Sequence, residues 1–284
     1  MKTKALAAGF AALFLANASY AQDKRVEWGL RFGIGGTELY DLEALTDNFE
    51  VDRGLLGEDE WDDDHLTSLA GGISLAVRVA GHWGIETGAY YQRKGAKLRR
   101  RYDLRSSPTI PAATDYTSHS TTEIKLHYVR VPAMVRYSRQ IFSSPVGWEL
   151  KLGPYFAYAF KGEADVRYNE RPQQTAPSST TPSGLLNPNA PRGSYDLFAD
   201  ADMTQALRSF NTRASGDITY ESRRLDVGGT IGGGITLWRK LYVGAQYDIG
   251  ITSVMQIGGI WQNNGADKQK LRNNTMTFQV GYNF

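Results

Sequence analysis

Four sets of side chains have the types and spacing that chemistry requires. The first is a basic run, Lys97, Arg99, Arg100, Arg101 and Arg105. Guanidinium forks take phosphate oxygens two at a time, so this run reads as a rim for lipopolysaccharide phosphates. Pairing with nearby acidic residues is the equal alternative. The second is Glu58-Asp59-Glu60-Trp61-Asp62-Asp63-Asp64. Carboxylates at that density suit Ca²⁺, but EF-hand spacing and its fixed glycine are missing, and a solvated acidic loop is the preferred reading. The third is the set of all histidines, His65, His82, His119 and His127. His119 lies between Ser118 and Ser120, yet sequence neighbours rarely form a base and nucleophile pair. Cysteine is absent, which removes thiolate nucleophiles and ligands. No enzyme activity, metal site or cofactor is expected. The fourth is Glu27, Arg31, Arg78, Glu86, Lys94, Arg130, Arg136, Glu149, Lys151, Arg224, Asp226 and Asp248, set among alternating apolar residues. Both signs are represented, as in a lumen whose charges pair with one another.

Alternate positions imply strands. At the C-terminal end Met276, Phe278, Val280, Tyr282 and Phe284 alternate with Thr275, Thr277, Gln279, Gly281 and Asn283. The same period predicts strands at Val26–Gly35, Leu69–Val79, Trp83–Lys97, Glu123–Ser138, Trp148–Lys161, Ile218–Leu237 and Leu241–Ile251, eight with the last. Pro132 lacks a ladder N–H and predicts a bulge in the fourth. Connections alternate in length: short at Ala80–His82, Arg139–Val146 and Arg239-Lys240, long at Gly36–Ser68, Leu98–Thr122, Asp165–Asp217 and Thr252–Leu271. Tight turns at one end and long loops at the other are the habit of an even-stranded membrane barrel. Trp28, Trp83, Trp148 and Trp238 fall at the turn-bearing end, where an interfacial aromatic belt belongs. Within the third long loop, Asp200 or Asp202 caps an expected short helix carrying Met203, Leu207 and Phe210.

The start of the chain differs in kind. Lys2 and Lys4 precede the apolar run Ala5–Ala16 and the small-residue site Ser19-Tyr20-Ala21, which reads as a signal peptide over 1–21 followed by a barrel domain over 22–284. No other segment approaches the roughly 20 apolar residues of a spanning helix. A net charge of +2 gives no argument for nucleic acid. Glycine (30) and tyrosine (16) are both frequent, which suits crowded sheet walls.

Several segments resemble the PorT-like outer-membrane β-barrel family: Tyr128-Val129-Arg130-Val131-Pro132, Leu152-Gly153-Pro154-Tyr155-Phe156, Tyr247-Asp248-Ile249-Gly250-Ile251 and Thr277-Phe278-Gln279-Val280-Gly281-Tyr282-Asn283-Phe284. The resemblance implies an eight-stranded barrel, and the family's name-giving protein takes part in export across the outer membrane. Arg130 stands where the family often has a carboxylate.

The expectation is therefore an all-β, eight-stranded antiparallel up-and-down transmembrane β-barrel with long extracellular loops, monomeric and in a bacterial outer membrane. Its expected role is structural, in surface recognition or accessory to secretion. Expected partners are outer-membrane lipid and lipopolysaccharide, with secretion-system or other envelope proteins besides. The alternatives are a narrow channel, a small-molecule or lipid-binding barrel, and a soluble lipocalin-like barrel with its apolar face turned inward.

Overall fold

The computed structural model describes residues 26–40, 56–104, 116–141, 144–171, 193–199, 219–258 and 269–284. The expected signal peptide, the capped helix and Arg105 lie outside them.

Eight strands build the wall: β1 (Val26–Tyr40), β3 (Leu66–Ala80), β4 (Trp83–Leu104), β5 (Tyr116–Gln140), β6 (Val146–Arg171), β9 (Leu225–Leu237), β10 (Leu241–Gly250) and β12 (Gln269–Asn283). They pair antiparallel in that order, and β12 returns to β1 with a register from Gly29 opposite Asn283 to Tyr40 opposite Arg272. The sheet is closed, so the wall has no free edge. Four short strands join its outer end: β2 (Leu56–Asp64) on β4, β7 (Gly193–Asp196) on β6, and β8 (Thr219–Ser222) on β11 (Met255–Gly258), which pairs with β12.

The orientation of side chains decides the environment. Phe32, Ile34, Ile85, Leu150, Leu152, Phe156, Ile231, Val243, Phe278 and Val280 are all exposed on the outer surface, whereas Arg31, Glu86, Lys94, Arg130, Glu149, Lys151, Asp226 and Asp248 are buried inside. Water would not tolerate so continuous an apolar exterior, and hydrocarbon requires one. The lipocalin-like alternative, which needs the reverse arrangement, is excluded.

Aromatic rings mark the limits of the apolar band. At the turn-bearing end Trp83 packs edge-on to Tyr137 at 4.9 Å and Tyr137 meets Trp148 at 5.4 Å, with exposed Trp28 and Trp238 at the same end. At the other end Tyr91, His127 and Phe160 form a triangle with centroid separations of 5.9, 6.2 and 6.3 Å. Along β5 about ten residues lie between Tyr137 and His127, roughly 33 Å of strand, or about 23 Å of height at a 45° tilt.

Strands β4, β5 and β6 outrun that band, because the loops expected at Leu98–Thr122 and after Asp165 begin as continued strand. With β2 and β7 they form an outer sheet ordered β2–β4–β5–β6–β7. Its inward side is apolar: Ala96, Ile124, Leu126 and Ala164 of this sheet pack in one buried cluster with Leu197 and with Leu39, Tyr220, Val254, Met255 and Leu271 from across the barrel mouth. The lumen is thus charged at membrane depth and oily above it.

Two local expectations are corrected. The bulge is not at Pro132, where Thr87 opposite Ala133, Tyr90 opposite Arg130 and Pro132 opposite Tyr155 keep one register. Thr87 donates its hydroxyl to the Pro132 carbonyl at 2.7 Å, so the wall is held there without a proline N–H. The register shift falls instead at Phe160, since Ala159 opposes Tyr128 and Lys161 opposes His127. The extra residue turns both Phe160 and Lys161 outward and sends Gly162 and Ala164 inward. The acidic run predicted as loop is the strand β2. Its register on β4 sets Asp64 opposite Lys97, Asp62 opposite Arg99 and Glu60 opposite Arg101.

Candidate functional site

The alternation that makes the exterior apolar delivers charges to the axis, and they meet in two tiers. In the tier nearer the turns, Lys151 binds Glu86 and Glu149 at 2.7 Å each. Arg136 reaches Glu149 at 2.7 Å and Glu27 at 2.7 Å, and Glu27 also meets Arg78 at 3.4 Å. In the upper tier Arg130 binds Asp248 at 2.9 Å, and Gln92 and Gln246 donate to the same carboxylate at 3.2 and 2.9 Å. Lys94 binds Asp226 at 3.1 Å while Tyr155 donates to Asp226 at 3.2 Å. Arg130 is therefore paired with a carboxylate from β10.

Two tyrosines complete the tiers. The Tyr242 ring lies 4.6 Å from both the Arg31 guanidinium and the Lys151 ammonium, and the Tyr155 ring lies 4.3 Å from Lys94 and 5.0 Å from Arg130. Ring faces attract cations strongly where water is excluded. These rings fit because the wall beneath them has no side chain. A Cβ at Gly234 would come within 2.5 Å of the Tyr242 ring, and one at Gly228 within 2.6 Å of Tyr155. The abundance of glycine and tyrosine was visible in the composition, but this pairing across strands was not, because it needs the register.

Among the described residues the lumen balances. Arg31, Lys94, Arg130, Arg136 and Lys151 give five positive charges, and Glu86, Glu149, Asp226, Asp248 and half-buried Glu27 give five negative ones. Two expected members stand apart. Arg224 precedes β9 and is exposed, its guanidinium 4.1 Å above Phe198. Arg78 lies beside the β3–β4 turn and is half exposed at the mouth.

On the outward face of the outer sheet, Lys125 binds Glu123 and Asp165 at 2.8 Å each, and Lys97 meets Glu123 at 3.7 Å. The Lys125 hydrogen bonds hold both carboxyl groups below their usual range, and in return they raise Lys125. Of the basic run, Lys97 takes part in this ladder, while Arg99, Arg100 and Arg101 lie between acidic β2 and the Thr121-Ser120-His119 stretch of β5. The histidines are dispersed: His65 lies 3.5 Å from Glu38, His82 stacks near Tyr137 at 5.7 Å, and His127 shares a 2.7 Å hydrogen bond with the Tyr91 hydroxyl.

An apolar exterior of about bilayer height, two aromatic belts and a polar interior define a transmembrane β-barrel. Residues 20–256 match the outer membrane protein beta-barrel domain, and the chain belongs to that family. It is accordingly an outer-membrane protein. Similar solved structures include OprG from Pseudomonas aeruginosa (12% identity, 91% of this chain and 94% of that one, TM-score 0.32). Neisserial surface protein A shares 10% identity over 91% of this chain and 97% of its own, TM-score 0.36. Ail, the attachment invasion locus protein of Yersinia pestis, shares 11% over 92% and 99%, TM-score 0.32. Among curated proteins none matches.

Proposed function

We propose that this barrel is a closed, monomeric anchor whose outer sheet recognises a partner at the cell surface. The observation that carries the reading is the continuation of β4, β5 and β6 past the outer aromatic belt into a sheet that packs on an apolar cluster at the barrel's outer end. Anchoring alone has no use for ordered structure outside the lipid, whereas recognition does. The two tiers of paired charge support closure, because an eight-stranded wall encloses only enough space for its own side chains. The channel alternative would need an aqueous path between those paired charges, which an interior filled by its own side chains disfavours.

The PorT-like segments favour an envelope assembly, including one that serves secretion, as the setting. A lipopolysaccharide rim at Lys97, Arg99, Arg100, Arg101 and Arg105 competes with the acidic strand β2 set opposite those residues. The absence of native cysteine permits a direct test. Single cysteines at Thr121 in the outer sheet and at Gln140 beside a turn are loaded with a crosslinker in intact envelopes. Adducts from Thr121 alone are expected. Equal adducts from both positions, or stepwise conductance in planar bilayers, would sink the reading.

A further inference from the structure

The outward faces of β4, β5 and β6 change chemistry row by row. Tyr91, Val129 and Tyr158 oppose one another in one apolar row, all exposed. The next row outward is Arg93, His127 and Lys161, again in register across the three strands. Beyond it come Lys125 opposite Glu163, and then Lys97, Glu123 and Asp165. The sequence of rows is apolar, basic, mixed and mixed.

The basic row sits at the edge of hydrocarbon. His127 belongs to the aromatic triangle with Tyr91 and Phe160, so its ring is at the belt, and neighbouring strands about 4.8 Å apart put Arg93 and Lys161 on either side. The register shift at Phe160 brings Lys161 into this row, because in an unshifted ladder Phe160 would face His127. A bulge that re-aims a side chain is the kind of irregularity that folds retain at sites. Existing contacts leave donors over. Arg93 gives Nε and Nη2 to the Thr67 carbonyl at 3.3 and 2.9 Å, and His127 uses Nδ1 toward Tyr91. Lys161 touches Glu163, the acidic neighbour from the row above.

We propose that Arg93, His127 and Lys161 bind a phosphate of the phosphorylated glycolipid in the outer leaflet. The apolar row beneath takes the acyl chains and the mixed rows above take the hydroxyl-rich headgroup, whose sugars match paired charges better than bare ones. The site lies nearer the hydrocarbon than the Lys97–Arg105 run and is independent of what the outer sheet recognises.

The test uses the full-length barrel in lipid nanodiscs containing bisphosphorylated lipid A, phosphatidylglycerol or neither, with retained lipid read by native mass spectrometry after detergent exchange. Wild type is expected to keep lipid A, and Arg93→Gln with His127→Gln and Lys161→Gln to lose it by about tenfold or more. Arg99→Gln with Arg101→Gln should retain it. Unchanged retention by the triple variant overturns the site, and equal, equally sensitive retention of phosphatidylglycerol overturns the glycolipid assignment. Heat-shifted gel mobility shows that each variant is folded, and the exchange Phe160→Lys with Lys161→Phe supplies a second variant that takes the ammonium out of register with His127 without removing it. Retention by that exchange variant equal to wild type also counts against the site.

Discussion

Lys94 on β4 and Asp226 on β9 meet at 3.1 Å with neither side chain exposed, and two wall strands separate theirs. The pair is a strut across the lumen. Arg130 to Asp248 and Arg136 to Glu27 are struts of the same kind, joining β5 to β10 and to β1.

Asp226→Asn strands the Lys94 ammonium, and the expected cost is about 3 to 5 kcal/mol. Lys94→Met combined with Asp226→Leu leaves no lone charge and should cost much less. Urea unfolding of the reconstituted barrel, followed by tryptophan fluorescence, separates the two.

Tyr242→Leu removes the ring that faces Arg31 and Lys151, for an expected loss of about 2 kcal/mol. Tyr242→Phe keeps the ring and loses only the hydroxyl's 3.2 Å bond to the Gly233 carbonyl, about 1 kcal/mol. A larger loss for the phenylalanine variant would show that the hydroxyl, and not the ring face, matters.

The turn between β9 and β10 holds Trp238 at φ 50° and Arg239 at φ 61°, a left-handed conformation that favours glycine. Arg239→Gly should raise stability by about 1 kcal/mol. The gain should appear as a higher unfolding midpoint with an unchanged denaturant slope.

The Glu123–Lys125–Asp165 ladder gives the outer sheet a pH dependence of definite sign. Both carboxyl groups titrate below their ordinary range when folded, so their contribution is complete above that range and disappears as pH falls through it, below about 4. Lys125 is raised, so its contribution is lost only in strong alkali. Amide protection factors on β5 and β6 beyond His127, the observed exchange corrected for the intrinsic rate at each pH, should fall as pH drops below about 4, and Lys125→Met should flatten that response.

The wall was readable from the sequence because its strands alternate strictly, and strict alternation is what a boundary between hydrocarbon and a polar lumen imposes. Strand ends were not, because above the belt the inward positions become apolar, as at Leu126 and Leu271, and the outward ones become charged, as at Lys125 and Glu123. Residues 58–64 looked like loop since acidic residues disfavour strands in isolation; their pairing with the basic run was one of two readings, and the register on β4 is what sets residue opposite residue. The shift at Phe160 was hidden for a similar reason. A single added residue reverses the facing of every later position in its strand without altering composition, so Lys161 could not be assigned to a row until its partner on β5 was known.

The seam between β1 and β12 constrains biogenesis. These strands come from opposite ends of the wall's sequence, yet each supplies the other's ladder over twelve opposed positions. A barrel lacking β12 would present two unpaired rows of amides and carbonyls to a medium with no water to satisfy them. Stepwise spontaneous insertion from the first hairpin onward is therefore unfavourable, and the assembling chain needs a temporary mate for β1 until its final strand is delivered.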